Sequence, residues 1–138
     1  MTSVDTIAYQ VLTRSGTTLN TLVGARVEFG VAPATFSNSA ATLVFRPEDG
    51  DSMLFGVPVF RRSYLFECWG GDGADADWSG AEAVYKALHD AWHDVGQLTV
   101  AGGVMMQGWE EQAGVPLVHP DTRQKYYVCR MAGKFRGA

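Results

Sequence analysis

The sequence has few cysteines and no long apolar run. These absences argue against a disulfide-rich protein, a cysteine-based metal site and a membrane-spanning protein. Cys68 and Cys129 are the two cysteines among 138 residues, too few and too far apart for a disulfide framework or a metal-binding knuckle. No apolar run approaches the ~20 residues that span a bilayer, so we expect no membrane association. Residues 1–5 lack the basic and then apolar layout of a signal peptide, so secretion is not expected.

Both cysteines lie inside apolar, β-prone runs, which predicts two buried and reduced thiols. A bridge between Cys68 and Cys129 stays open as an alternative if their strands are neighbours. A catalytic role is not favoured, because no nearby residue is an obvious activating base.

Positively charged residues are also fewer than negatively charged ones. Eleven Lys and Arg against fifteen Asp and Glu give a net charge of −4, which argues against a protein that grips nucleic acid through its phosphates. No glycine-rich segment follows a strand and opens a helix with Lys behind it, so nucleotide binding has no support. A hydrophobic content of 46% and a charged content of 19% predict one folded domain over residues 1–138.

Apolar residues at helical spacing predict two helices. The first covers residues 4–14, and a short capped turn follows over residues 17–24. The second begins at Ser79, where Glu82 three residues later completes a capping box. Its apolar stripe runs on to Val95, and Gly96 lies just past the predicted end.

Alternating and β-branched runs predict the strands. They cover residues 26–29, 41–46, 59–69, 97–100, 104–109 and 125–135. In the strongest of them Phe60, Tyr64, Phe66 and Cys68 fall on one side, with Arg61, Ser63 and Glu67 on the other. A three-residue loop, 101–103, joins two of the strands, and residues 110–123 are predicted to be mostly loop. The order favours an α+β fold, a mostly antiparallel sheet with two helices packed on one face.

His89 and His93 are the best candidates for metal chemistry, because they lie four residues apart on one helix face. A zinc protease needs Glu after the first His, where this chain has Asp90, and no third ligand is evident. A solvated helix face explains the two histidines more simply. Asp75 and Asp77 resemble the opening of a calcium loop, but the position of its bidentate Glu holds Lys86. We therefore expect no catalytic residue, metal or other cofactor, and keep a small metal-dependent enzyme using His89 and His93 as an alternative.

A broader pattern covers residues 4–135 in three segments. The first is the N-terminal helix followed by Leu19-x-x-Leu22-Val23-Gly24-x-Arg26-Val27 and then Ala32-Pro33. The second is the aromatic strand Tyr64-Leu65-Phe66-Glu67-Cys68-Trp69, which leads through a polar loop into the helix of residues 81–88. The third is Pro116-Leu117-Val118-x-Pro120-Asp121-Thr122 running into the strand of residues 126–130. In this arrangement the chain resembles the tail-terminator (tail-completion) family of long-tailed bacteriophages and gene-transfer agents.

The resemblance implies a non-enzymatic virion protein that forms a hexameric ring on the head-proximal end of the tail tube. Such a ring stops polymerisation of the tail tube protein and joins the tail to the connector or stopper protein of the head. It is assembled in the host cytoplasm and remains at the head–tail junction, where DNA passes through without specific binding. A head-side connector or stopper is the nearest alternative, followed by a small tail-tube or capsid-decorating protein.

Two sets of residues are candidates for the surfaces of such a ring. Interface hot spots favour Trp and Arg, and the candidates are Trp78, Trp109, Arg61 and Arg62. Core packing is an equal interpretation for Trp109 and the favoured one for Trp92, while the two arginines are also typical of an edge strand. Acidic residues would keep DNA from sticking to a channel or head-side surface, and the candidates are Asp72, Asp75, Asp77, Glu48, Asp49 and Asp51.

Overall fold

Three helices lie on one face of a seven-stranded sheet in the computed structural model, which describes residues 2–30, 40–48, 52–53, 59–71 and 77–137. The helices are α1 (Ser3–Thr13), α2 (Thr18–Val23) and α3 (Ser79–Trp92). The strands are β1 (Val27–Phe29), β2 (Thr42–Pro47), β3 (Ser52–Met53), β4 (Val59–Trp69), β5 (Leu98–Val100), β6 (Gly103–Val118) and β7 (Lys125–Gly137). The strand order is β1-β2-β4-β7-β6-β5, with β3 also beside β4, and every pair is antiparallel except β1–β2. The predicted α+β class is confirmed, with α2 as a third helix where a short turn was predicted.

The alternation predicted for β4 divides the sheet into two faces. Tyr64, Phe66 and Cys68 point toward the helices and are fully buried. Their neighbours across β2 and β7 share that face, since Phe45 lies opposite Phe66 and Phe66 lies opposite Cys129. We call this the helix-side face and its reverse the open face. The core therefore lies between one side of the sheet and the apolar stripes of α1 and α3.

A buried polar network joins the start of α1 to β4. Thr2 and Asp5 form a capping box, and the Asp5 side chain is 2% exposed. The Tyr64 hydroxyl donates to Asp5 Oδ1 at 2.8 Å, and Arg62 Nε lies 3.2 Å from the same oxygen. One carboxylate thus caps a helix and balances a nearly buried guanidinium on the helix-side face.

The start of α3 differs from the prediction. Trp78 occupies the cap position without a side-chain hydrogen bond, so the expected capping box of Ser79 and Glu82 is wrong. The carboxylate of Asp77 accepts hydrogen bonds from the Ser79 N–H at 2.9 Å and from its hydroxyl at 2.6 Å. These two bonds favour the charged form and lower the pKa of Asp77. Asp77, which precedes the helix, therefore caps α3 in place of the predicted pair of Ser79 and Glu82.

The other end of α3 also differs, because the helix stops at Trp92 and Val95 lies beyond it. Asp94 adopts a φ of 58° and donates its backbone N–H to the Gly108 carbonyl at 2.9 Å. Gly108 returns a bond to the Val95 carbonyl at 3.3 Å. The chain leaves the helix early because these two bonds tie it to β6.

Residues 110–118 form the second half of β6, so the loop predicted there is wrong. They pair with β7 as far as Val118 opposite Lys125, with register shifts between Glu110 and Gln112 and between Gln112 and Val115. Bulges of this kind let a strand absorb extra residues without losing its partner. Pairing with the full length of β7 thus outweighs the turn signal of Pro116. The hairpin of β5 and β6 is also tighter than predicted, because Gly103 already pairs with Val100.

Cys68 and Cys129 are buried and free, as predicted, although their strands are neighbours. Burial, followed by a hydrogen bond to Cys129, raises the pKa of the Cys68 thiol. Among the described residues, none of the helices has the length and apolar content required to cross a bilayer.

Candidate interface on the open face of the sheet

Ion pairs between strands cover much of the open face. Arg46 on β2 pairs with Glu67 on β4 at 2.8 Å, and the Trp69 indole N–H donates to the same carboxylate at 3.2 Å. Arg130 on β7 lies 3.8 Å from a Glu48 carboxylate oxygen. Because each pair bridges two parts of the chain, these charged side chains are held in place on the open face.

Two of the predicted interface residues meet on this face. The Arg61 guanidinium lies 5.7 Å from the centre of the Trp109 ring, within the range of a cation–π contact. Glu111 holds the other side of Arg61 through a 2.7 Å ion pair and also accepts a hydrogen bond from the Ser63 hydroxyl. Trp109 is half-buried, so part of its ring remains open to a partner.

Two further cations on β7 extend this group. Lys134 lies opposite Arg61 in the β4–β7 register, and Arg136 follows two residues later on the same face. Lys134 is half-buried and Arg136 is exposed. We call Trp109, Arg61, Glu111, Lys134 and Arg136 the Trp109 patch. It places an aromatic ring among positive side chains, which is the residue chemistry that interface hot spots favour.

Arg62 does not belong to this patch. Its side chain lies on the helix-side face beside Asp5 and is 11% exposed. The alternative interpretation of Arg61 and Arg62 as edge-strand charges is wrong, because β4 is flanked by β7 on one side and by β2 and β3 on the other. Arg62 therefore acts as a structural charge between the sheet and α1.

The other predicted tryptophans lie in two different environments. The half-buried Trp78 donates its indole N–H to the Leu117 carbonyl at 3.2 Å, and Lys125 Nζ lies 5.4 Å from the centre of its ring. It thereby fastens the end of the β6–β7 hairpin to the start of α3. Trp92 is fully buried and donates to the Ala132 carbonyl at 2.9 Å, which confirms core packing.

The structure describes two of the six acidic candidates, Glu48 and Asp77. Asp49, Asp51, Asp72 and Asp75 lie outside the described residues. Glu48 belongs to the open face through its pairing with Arg130, whereas Asp77 caps α3. The two described members therefore lie in different parts of the fold.

His89 and His93 stack on each other with ring centres 4.6 Å apart. His93 Nδ1 accepts the Glu110 backbone N–H at 2.9 Å, and His89 Nε2 lies 3.8 Å from a Glu110 carboxylate oxygen. The Tyr85 hydroxyl donates to Glu110 at 2.6 Å, and burial together with this bond raises the pKa of Tyr85 to about 12. No group of three or more His, Cys, Asp or Glu side chains suited to a metal occurs within the described segments. The histidines there connect α3 to β6.

Several exposed apolar side chains were missed by the sequence reasoning because they lie on the stretch predicted to be a loop. Val115, Leu117 and Val118 are each at least 40% exposed on the second half of β6. Their apolar character was visible in the sequence, but the open face on which Val115 and Leu117 lie depends on the β6–β7 register. Val115 and Leu117 therefore add exposed apolar surface to the open face outside the Trp109 patch.

The sequence matches no protein-family model and no curated protein. Among solved structures, the chain is similar to one described as part of the "Virion of native gene transfer agent (GTA) particle". The two chains are 19% identical, superpose with a TM-score of 0.65, and correspond over 94% of this chain and 91% of that one. The likeness shows a shared fold over nearly the whole of both chains.

Proposed function

We propose that this protein is a structural component of a tailed-phage or gene-transfer-agent virion and acts as a tail terminator. The observation that carries the proposal is the fold it shares, almost end to end, with a chain of a gene-transfer-agent virion. The order of segments that resembles tail terminators, read from the sequence alone, supports the finer assignment. The protein would form a ring of six copies, as in the family it resembles, at the head–tail junction.

Such a ring has to bind the exposed end of the growing tail tube on one side. Its other side must not present a surface to which another tube subunit could bind. A closed ring of identical subunits joins one patch of each subunit to a different patch of the next. The Trp109 patch suits one half of such a joint, because the Trp109 ring and the Arg61 guanidinium are already held in place by contacts between β4 and β6. No step of this role requires a bond to be made or broken.

The acidic residues would serve the passage of DNA. We propose that some of the acidic candidates line the channel or the head-side surface, where like charge keeps the phosphates from binding. The candidates remain Asp72, Asp75, Asp77, Glu48, Asp49 and Asp51. A map of the assembled ring with all six on its outer wall would contradict this part of the proposal.

Particles made without the protein test the main proposal. Without a terminator nothing stops the tail tube protein from polymerising. Negative-stain microscopy should therefore find tails of uncontrolled length and few tails joined to heads. A wild-type copy supplied in trans is the control and should restore one tail length. Normal tails beside leaking heads would instead indicate the connector or stopper role. Wholly normal particles would contradict a structural role in the virion.

A further inference from the structure

The open face carries two cations without an ion pair among the described residues. Arg46, Arg61 and Arg130 each have a carboxylate partner, whereas Lys134 and Arg136 have none there. Both belong to the Trp109 patch and both reach solvent. This patch therefore presents net positive charge, although the protein as a whole carries −4.

The solvent side of α3 has the complementary character. Ala83, Lys86 and Asp90 are exposed and share one helix face by their spacing. Lys86 is neutralised by Glu82 at 2.8 Å, which leaves Asp90 as a carboxylate with no ion pair in the described part of the chain. Ala83 has a small side chain, so the helix surface beside these charges leaves room for a large ring.

These two surfaces point away from each other in one copy. The buried stripe of α3, which includes Val84 and Leu88, packs on the helix-side face. Its solvent side and the open face are therefore on opposite sides of a layered molecule. A contact between them must therefore join two copies. In a ring, each copy would use its open face to bind one neighbour and the solvent side of its α3 to bind the other.

We propose that the Trp109 patch of one copy binds the solvent side of α3 in the next copy, with Trp109 against Ala83 and with Lys134 and Arg136 facing Asp90. The contact rests on the proposed function, since it supplies the subunit joint of the ring. An apolar anchor surrounded by complementary charges is the usual anatomy of a protein interface. A second copy is the occupant best supported, because this chain itself carries the complementary surface.

Zero-length cross-linking tests this joint directly. A carbodiimide joins the Lys134 amine to the Asp90 carboxylate only where the two groups touch, and within one chain they lie on opposite sides. Isotopically light and heavy copies of the purified protein, mixed at high concentration, should give a mixed-isotope peptide pair joining these residues. The same pair should appear in assembled particles. Its absence from the particles, or a link from Lys134 to DNA-binding, tube or connector proteins instead, would overturn the contact.

Charge reversal gives an independent measure of the same contact. Lys134→Glu alone and Asp90→Lys alone should each weaken association of the copies about tenfold, because each places like charges together. The double variant should recover to within about threefold of the wild type. Asp121→Lys, an exposed reversal in the β6–β7 loop, is the matched control and should leave association unchanged. A double variant no better than either single variant would contradict the pairing.

The two proposals fail in different ways. Tails of normal length in particles without the protein, together with the Lys134–Asp90 link, would remove the terminator role and leave the contact. Uncontrolled tail length together with charge variants that behave like the wild type would leave the terminator role and remove the contact.

Discussion

Replacement of Asp5 by Ala should destabilise the protein strongly. The variant removes the acceptor of the Tyr64 hydroxyl and the carboxylate 3.2 Å from Arg62 Nε, in a site where Asp5 is 2% exposed. Removing one member of a buried ion pair typically costs about 3–5 kcal/mol. Loss of the capping box adds about 1 kcal/mol, but relaxation around the site offsets part of the sum. We expect a loss of about 4 kcal/mol, a large share of the roughly 5–15 kcal/mol that stabilises a domain.

Urea unfolding followed by circular dichroism and Trp fluorescence would measure the change. Arg62→Met in the Asp5→Ala background should return more than half of the lost free energy, because the apolar Met side chain leaves no unbalanced buried charge. Ser3→Ala is the matched control at an exposed position of α1, with an expected loss within about 0.5 kcal/mol. A loss below about 1 kcal/mol for Asp5→Ala, or no recovery on adding Arg62→Met, would refute the reasoning about this network.

Three further predictions concern the contacts around α3. Trp92→Phe should cost about 2 kcal/mol in urea unfolding, because it deletes the buried hydrogen bond to Ala132 and part of a core ring; a loss near zero would contradict the core assignment. The pKa of Tyr85 is raised from 10.0 to about 12 in the folded protein. Its contribution to stability is therefore complete below about pH 10 and falls as pH rises toward 12, so Tyr85→Phe should flatten stability over that range and remove one tyrosine step near pH 12 in an ultraviolet titration. Gly108→Ala should cost about 2 kcal/mol or more, since its Cβ would lie 2.3 Å from the Trp92 carbonyl oxygen. Gly96→Ala meets nothing within 4 Å and is the control expected to be neutral or slightly stabilising.

Local patterns were sufficient where one face of an element is buried throughout. Residues 59–69 alternate except at Arg62, and the predicted strand coincides with β4. The stripe of the first helix likewise predicted α1 to within one residue at each end. In both elements the hydrophobic period and the tertiary environment agree, so the sequence window contains the needed information.

The failures occur where a distant partner decides the conformation. Pro116 indicates a turn within its own window, but β7 supplies a partner strand that holds it in β6. The residues near Asp5 do not reveal its hydrogen bond with Tyr64, because the two residues are 59 positions apart. The meeting of Arg61 and Trp109 likewise depends on how β4, β7 and β6 align. A single window of sequence carries no information about such registers.

Because both thiols are buried, the rate at which they are alkylated can serve as a measure of unfolding. Cys68 and Cys129 lie on neighbouring strands, β4 and β7, in the middle of the sheet, and burial suppresses the reactive thiolate at Cys68. An alkylating reagent can reach them only when these strands separate, which requires the core to open. The rate of thiol labelling in unmodified protein, free or built into a particle, therefore measures how often the whole domain opens and how much assembly slows that event.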